Sequence, residues 1–172
     1  MNIKGKKLTL RPLRKSDIPS LVKNANHKSV AKYTLVPHPY RAKDAEAFIE
    51  LSREKSRKNI SRNFAIISHE TGEVAGMMGL NRINHQHRRV EIGYWIGVDY
   101  RGKGLTTEAL NLVVKYSFNN LKALRAHAFV DPKNVASIRV LEKAGFKREG
   151  LLKKFYRSHN RQSDVYIYAK VK

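Results

Sequence analysis

The stretch Gly93-Tyr94-Trp95-Ile96-Gly97-Val98-Asp99-Tyr100-Arg101-Gly102-Lys103-Gly104-Leu105-Thr106-Thr107-Glu108-Ala109-Leu110 constrains this chain more than any other. It reads as an apolar strand, a short basic glycine loop and the start of a helix. Gly102 and Gly104 let the backbone turn where a Cβ would obstruct it. Successive N–H groups can then point into one concavity, and the following helix adds the positive end of its dipole. Arg101 and Lys103 contribute two mobile cations. Such a loop suits a diphosphate.

The remainder supplies a sheet and helices around that unit. Leu8 to Leu13 alternates apolar and polar, as a half-buried strand does. Ser16 and Asp17 are N-cap candidates for a helix through Ile18, Leu21, Val22 and Ala25, with Pro19 in its first turn. A second helix is expected over 43–58, with Ala45, Phe48, Ile49 and Ser52 on one face. Strands are expected at 63–67, 74–80 and 90–98, a helix at 106–119, a strand at 125–130 and a helix at 134–144. Gly145 stands where a C′ glycine belongs. Two last strands, 146–156 and 164–171, flank a turn at Ser158-His159-Asn160-Arg161. The order β-α-α-β-β-β-α-β-α-β-β predicts one α+β (mixed α/β) domain over residues 1–172, with a mainly antiparallel sheet and about four helices.

Length and charge narrow the partners. At 172 residues the chain can bury a sizeable core. No apolar run approaches the roughly 20 residues that span a bilayer. The N-terminus lacks the apolar region and cleavage site of a signal peptide. There is no cysteine, which excludes disulfides, thiolate metal sites and a cysteine nucleophile, and fits a cytoplasmic protein. The net charge is +21, and it is uneven: residues 1–62 carry sixteen basic and five acidic side chains, 63–100 three and four, and 101–172 sixteen and five. A field of that sign attracts polyanions such as RNA, a ribosome surface or a phosphorylated cofactor, and repels small cations. Solubility alone is the alternative use of such a surface.

Two familiar nucleotide loops do not fit. A Walker A loop needs G-x-x-x-x-G-K followed by Ser or Thr, and a dinucleotide fingerprint needs a third glycine where Thr107 stands and an acid about 20 residues on. The pattern instead resembles the acyl-CoA loop of the GNAT N-acetyltransferases, Q/R-x-x-G-x-G/A, through Arg101-x-x-Gly104-x-Thr106, departing at Thr106. Ile92-Gly93-Tyr94-Trp95-Ile96 precedes it and Thr107-Glu108-Ala109-Leu110 follows. Asn134-x-x-Ser137-x-x-x-Leu141-Glu142-Lys143-Ala144-Gly145-Phe146 resembles the second cofactor motif of that superfamily. Element order and length agree over nearly the whole chain. The G-Y-W-I and N-x-x-S phrases and the strand Asp164-Val165-Tyr166-Ile167-Tyr168 are similar to the branch that acetylates ribosomal-protein N-termini.

The resemblance implies attack of a neutral amine on the thioester of acetyl-CoA, with no covalent enzyme intermediate and no metal. An α-amino group of pKa near 8 is about 10% neutral at pH 7, whereas a lysine near 10.4 is below roughly 0.1%, so an α-amino acceptor asks less of a base. Glu91, on the strand leading into the loop, is a candidate base, direct or through water; a paired structural carboxylate is the alternative, and Asp164 is a second candidate. Ser137 is implied as proton donor to the CoA thiolate, with Tyr94 and Tyr156 as alternatives. The cofactor site is expected over 96–107: the N–H groups of Ile96 and Val98 on the acetyl carbonyl and pantetheine, with Gly97 between them, and Arg101, Gly102, Lys103, Gly104, Leu105, Thr106 and Thr107 around the diphosphate. Asn134 would bond the pantetheine arm or cap its helix. His85-x-His87, in a polar loop without acids, reads as solvent-facing rather than as a metal site.

Three functions remain open at this point. One is transfer to a protein or peptide N-terminus, with ribosome or RNA association through Arg53, Lys55, Arg57, Lys58 and Arg62. The others are a small-molecule N-acetyltransferase acting on a polyamine, amino acid or antibiotic, and an RNA-binding module without catalysis. Fourteen carboxylates without a cluster disfavour a polyamine. Monomer and homodimer are equally compatible with the sequence, and no membrane partner is expected.

Overall fold

The computed structural model describes residues 2–158 and 161–172, Ser158 by its backbone only, so the expected turn at 158–161 falls partly outside the described residues. Eight strands form one sheet. They are β1 (Ile3–Lys4), β2 (Leu8–Pro12), β3 (Arg62–Ser68), β4 (Val74–Asn84), β5 (Arg89–Ile96), β6 (Arg125–Val130), β7 (Lys147–Ser158) and β8 (Arg161–Val171). Their order is β1-β2-β3-β4-β5-β6-β8-β7, antiparallel throughout except for β5–β6. The helices are α1 (Ile18–Ala25), α2 (Lys28–Ala31), α3 (Ala42–Arg57), α4 (Leu105–Asn119) and α5 (Val135–Lys143).

The alternation of strand side chains gives the sheet two faces. On one, Leu8, Leu10, Ile66, Met78, Leu80, Val90 and Ile92 meet Leu110, Val113 and Leu141 of α4 and α5 in the larger core. On the other, Ala65, Met77 and Trp95 meet Leu21 and Ala25 of α1 and Ala45 and Ile49 of α3. Asp17, 4% exposed, fixes that helical layer to the sheet edge. Its carboxylate accepts from both Arg11 Nη groups, at 2.7 and 2.6 Å, and from the Arg14 N–H at 2.8 Å. Losing one partner of such a pair costs about 3–5 kcal/mol.

The α1–α3 layer ends over β3 and β4. Beyond it, the long β7–β8 hairpin curls back over the same face, and the Phe155 ring packs on Phe129 with centroids 4.9 Å apart. Three expectations are corrected. A two-residue β1 and a four-residue α2 are added, too short to carry a periodicity. The strand expected to reach Val98 stops at Ile96, because Val98–Tyr100 wind into a 3-10 turn after Gly97. Arg62, expected with Arg53, Lys55, Arg57 and Lys58 among the RNA-facing cations, lies instead in β3 and donates to the Tyr116 hydroxyl.

Candidate active site

A break in the sheet defines the site. β5 and β6 pair over three rungs only, Arg89↔Arg125, Val90↔Ala126 and Glu91↔His127, and then part. β5 stays paired with β4 as far as Gly76↔Ile96, and β6 with β8 as far as Val130↔Tyr166. The parting is therefore a cleft inside an otherwise continuous sheet. The Gly97 N–H donates to the Ala75 carbonyl at 2.8 Å. By the alternation of an antiparallel ladder, the N–H groups of Tyr94 and Ile96 point the other way, into the cleft.

The glycine loop closes the end of β5. Gly102 (φ +75°) and Gly104 (φ +81°) both take the left-handed conformation, and Gly104 is the N-cap of α4. Among the described residues, the N–H groups of Gly102, Lys103, Gly104, Leu105, Thr106 and Thr107 make no backbone hydrogen bond. Six free donors at a helix start form a ready anion cradle. A third cation, which the sequence did not bring to the loop, reaches it: Lys7 Nζ donates to the Lys103 carbonyl at 3.1 Å. The turn between β1 and β2 is pinned there, since the Glu108 carboxylate of α4 accepts from the N–H groups of Lys6 and Lys7. A hollow of about 580 Å³ lined by Lys7, Ser68, His69, Glu70, Lys103 and Leu105 borders the loop. The loop's own cations are engaged elsewhere: Arg101 donates to Ser29 Oγ at 2.9 Å and Lys103 to Glu70 at 3.1 Å. α2 thus lies across the open end of the cleft, since Tyr33 just after it donates to the Lys133 carbonyl at 3.3 Å.

On the face covered by α4 and α5, the Tyr94 and Ser137 hydroxyls meet at 2.8 Å. Asn134 caps α5 by accepting from the Ser137 N–H at 3.2 Å. Burial pushes the Tyr94 phenol up to about 12, against the smaller opposing effect of the Ser137 hydrogen bond. The phenol therefore stays protonated and orients the Ser137 hydroxyl through their hydrogen bond.

On the opposite face, Glu91 pairs with Arg82 at 3.1 Å. Tyr156 arrives beside it from the curled hairpin: burial, then the Glu91 charge, raise its phenol. Gly79 and Gly93 sit opposite one another and leave the sheet bare there, between the side chains of Asn63 and Asn81. His127 completes the rung beside Glu91 and passed unnoticed in the sequence, where it reads as one residue of an ordinary strand. Asp164 is not brought to this group. It is exposed, and its Oδ1 accepts the Lys154 N–H at 2.7 Å inside the β7–β8 bulge, where Lys154 has φ +46°. His85 and His87 are exposed, and no group of three or more potential metal ligands occurs among the described residues.

Residues 7–147 match the acetyltransferase (GNAT) domain family. The chain belongs to the GNAT acetyltransferases. It is 37% identical over 145 residues to a spermidine N(1)-acetyltransferase of Escherichia coli K12, covering 83% of this chain and 74% of the relative. The microcin self-immunity acetyltransferase MccE, solved with acetyl-CoA and AMP, superposes with a TM-score of 0.88 at 25% identity, covering 98% and 94% of the two chains. The ribosomal-protein alpha-N-acetyltransferase RimL superposes at 0.90 with 20% identity, covering 100% and 94%, a likeness of fold. The GNAT chain is an N-acetyltransferase that uses acetyl-CoA, and its free loop N–H groups and unpaired strand edge fit that cosubstrate. No described helix is long and apolar enough to cross a membrane.

Proposed function

We propose that this GNAT enzyme acetylates the N-terminal α-amino group of a protein, of the ribosomal-protein type. The observation that carries the reading is the charge around the acceptor face. Among the groups that act most on His127, Arg125, Arg89 and Arg82 outnumber the one acid, Glu149. Glu91 is already paired with Arg82, and Glu149 with Arg125. A polyamine would meet excess positive charge there, whereas a peptide brings one amine followed by carbonyl oxygens. The spermidine N(1)-acetyltransferase relative at 37% identity favours a polyamine as the second reading.

The chemistry follows from position. The loop N–H groups, with Lys7 and the loop cations once released from Ser29 and Glu70, hold the diphosphate. The Ile96 N–H in the cleft polarises the thioester carbonyl and stabilises the oxyanion of the tetrahedral intermediate. Glu91 takes the proton from the attacking amine, directly or through water. Ser137 gives its proton to the departing thiolate and recovers one from solvent, while the Tyr94 phenol holds its hydroxyl in place. The exposed cations of α3, Lys55 and Arg57 beside the paired Arg53 and Lys58, hold the enzyme near RNA-rich assemblies.

The test is thiol release from acetyl-CoA with a panel of α-amino peptides, a peptide carrying only a lysine side-chain amine, and spermidine. Peptides with a free α-amino group are expected to give the highest kcat/KM. A higher value for spermidine would replace this reading with the second. Reversing the charge of Arg53, Lys55 and Arg57 should lower RNA or ribosome retention and its steep salt dependence while sparing peptide turnover.

A further inference from the structure

His127 stands on the last rung that joins β5 to β6, where the cleft begins. Its side chain lies on the same face as Glu91, the face that α4 and α5 do not cover. Three buried polar side-chain atoms among the described residues have no hydrogen-bond partner, and His127 Nδ1 is one of them. Nε2 also makes no hydrogen bond, but it is not among the buried atoms. The ring is held by an edge contact with Phe129, centroids 5.5 Å apart, which is in turn covered by Phe155.

This geometry selects one form of the ring. A buried ring nitrogen without a partner is penalised in either form, but orphaned buried N–H groups are rarer in folded proteins than under-satisfied buried acceptors. The proton therefore resides on Nε2, the nitrogen open to the acceptor face. The surroundings keep the ring neutral: burial, then Arg125, Arg89 and Arg82, lower its pKa, and only Glu149 raises it among the groups that act on it most. Glu91 shares the rung but is turned to Arg82. On its open side, neutral His127 is a hydrogen-bond donor and nothing else. Arg82 and Arg89, both exposed, add only donors to the same rim.

We propose that His127 is a specificity-determining residue that donates its Nε2–H to the carbonyl oxygen adjacent to the acceptor's α-amino group. The inference rests on the peptide reading above and deepens it, because it names the feature recognised: an amine with a carbonyl one carbon away. A polyamine carries no oxygen for this donor. A site built to bond a substrate group rejects the analogue that lacks it more strongly than an apolar pocket could, since the donor, cut off from water once the acceptor covers it, is then left unpaired.

The experiment crosses two enzymes with two substrates. The wild type and His127→Ala are assayed at saturating acetyl-CoA with a seryl-alanine peptide amide and with the same molecule reduced at its first carbonyl to a methylene. His127→Gln, which retains an N–H donor, is the third enzyme, and CoA affinity and melting temperature report folding. The wild type is expected to prefer the carbonyl substrate by at least tenfold in kcat/KM. His127→Ala should lose that preference through a raised KM for the peptide while its rate on the reduced analogue stays within about threefold, and His127→Gln should restore part of it. Equal losses on both substrates would overturn the proposal, and if they appear in kcat together with loss of the acid limb of the pH profile, the ring is a base instead. A His127→Ala protein that keeps the full preference would overturn it equally. A wild type that acetylates spermidine and no peptide would show, before any variant is made, that the underlying acceptor reading has failed rather than this step alone.

Discussion

The two ends of the cleft are built by opposite means. At the proposed cofactor end, Ile96 and the loop 102–107 of one short stretch provide free backbone donors, and side chains from elsewhere only reinforce them. At the proposed acceptor end, no stretch dominates: Asn63, Asn81, Arg82, Glu91, His127 and Tyr156 come from five strands and meet only because the sheet registers them. The difference suits what each end binds. A diphosphate presents the same oxygens in every cycle, so peptide N–H groups suffice. Acceptors differ in side chains and charge, so that end is written in residues that can be exchanged singly without disturbing the fold.

The sharpest way to break this comparison is at Glu91. Glu91→Gln is expected to lower kcat by 10²–10⁴, the usual worth of a general base, with CoA affinity unchanged by calorimetry. Wild-type turnover would return Glu91 to a purely structural partner of Arg82. The reciprocal effect is expected from Gly104→Val. A β-branched residue at φ +81° is strained and obstructs the anion cradle, so CoA binding should weaken more than tenfold in a protein whose circular dichroism is unchanged. Arg101→Ala should cost less, because that guanidinium is bonded to Ser29 in the free enzyme. Undiminished CoA affinity in the double variant would remove the cofactor site from 96–107.

A smaller effect is expected where the two ends meet. Ser137→Ala and Tyr94→Phe should each reduce kcat by less than the roughly 10²–10⁴ typical of a lost general acid or base, and the double variant little more than either alone, since the two hydroxyls act as one hydrogen-bonded pair. Additive losses would separate them. The smallest effect is on stability. The folded Tyr94 phenol, raised to about 12 by burial, binds its proton more tightly than the unfolded one near 10. Its contribution is therefore complete below pH 10 and is lost as pH rises towards 12. Tyr40, also raised to about 12, behaves alike. Melting temperatures taken from pH 9 to 11.5 should fall less steeply for Tyr94→Phe than for the wild type, and parallel curves would contradict the burial of that phenol.

The same contrast explains what the sequence disclosed. The loop was legible because its signal is local: two glycines with positive φ, a strand before and a helix after lie within twenty residues. So were Tyr94, Ser137 and Asn134, each carried by a motif. Of the acceptor face only Glu91 and Tyr156 stood out in the sequence, Tyr156 as a thiolate donor rather than as a neighbour of Glu91, because register is set by long-range pairing that no local pattern encodes. His127 looks like any strand histidine until β5 is laid beside β6. Asp164 looked catalytic for the same reason, and only the bulge at Lys154 shows its carboxylate occupied. The α2 turn, at four residues, was too short to announce itself, although it spans the mouth of the cleft.

The pinning of the β1–β2 turn against α4 has a practical side. Glu108 ties the backbone of Lys6 and Lys7 to the first turn of the cofactor helix, while the Lys6 side chain remains exposed. The chain contains no cysteine, so Lys6→Cys creates a single thiol for a fluorescent dye. A dye there sits on the element tied to the start of α4 and to the glycine loop, and its emission is expected to follow cosubstrate arrival and departure in real time, without radiolabel or coupled reporter.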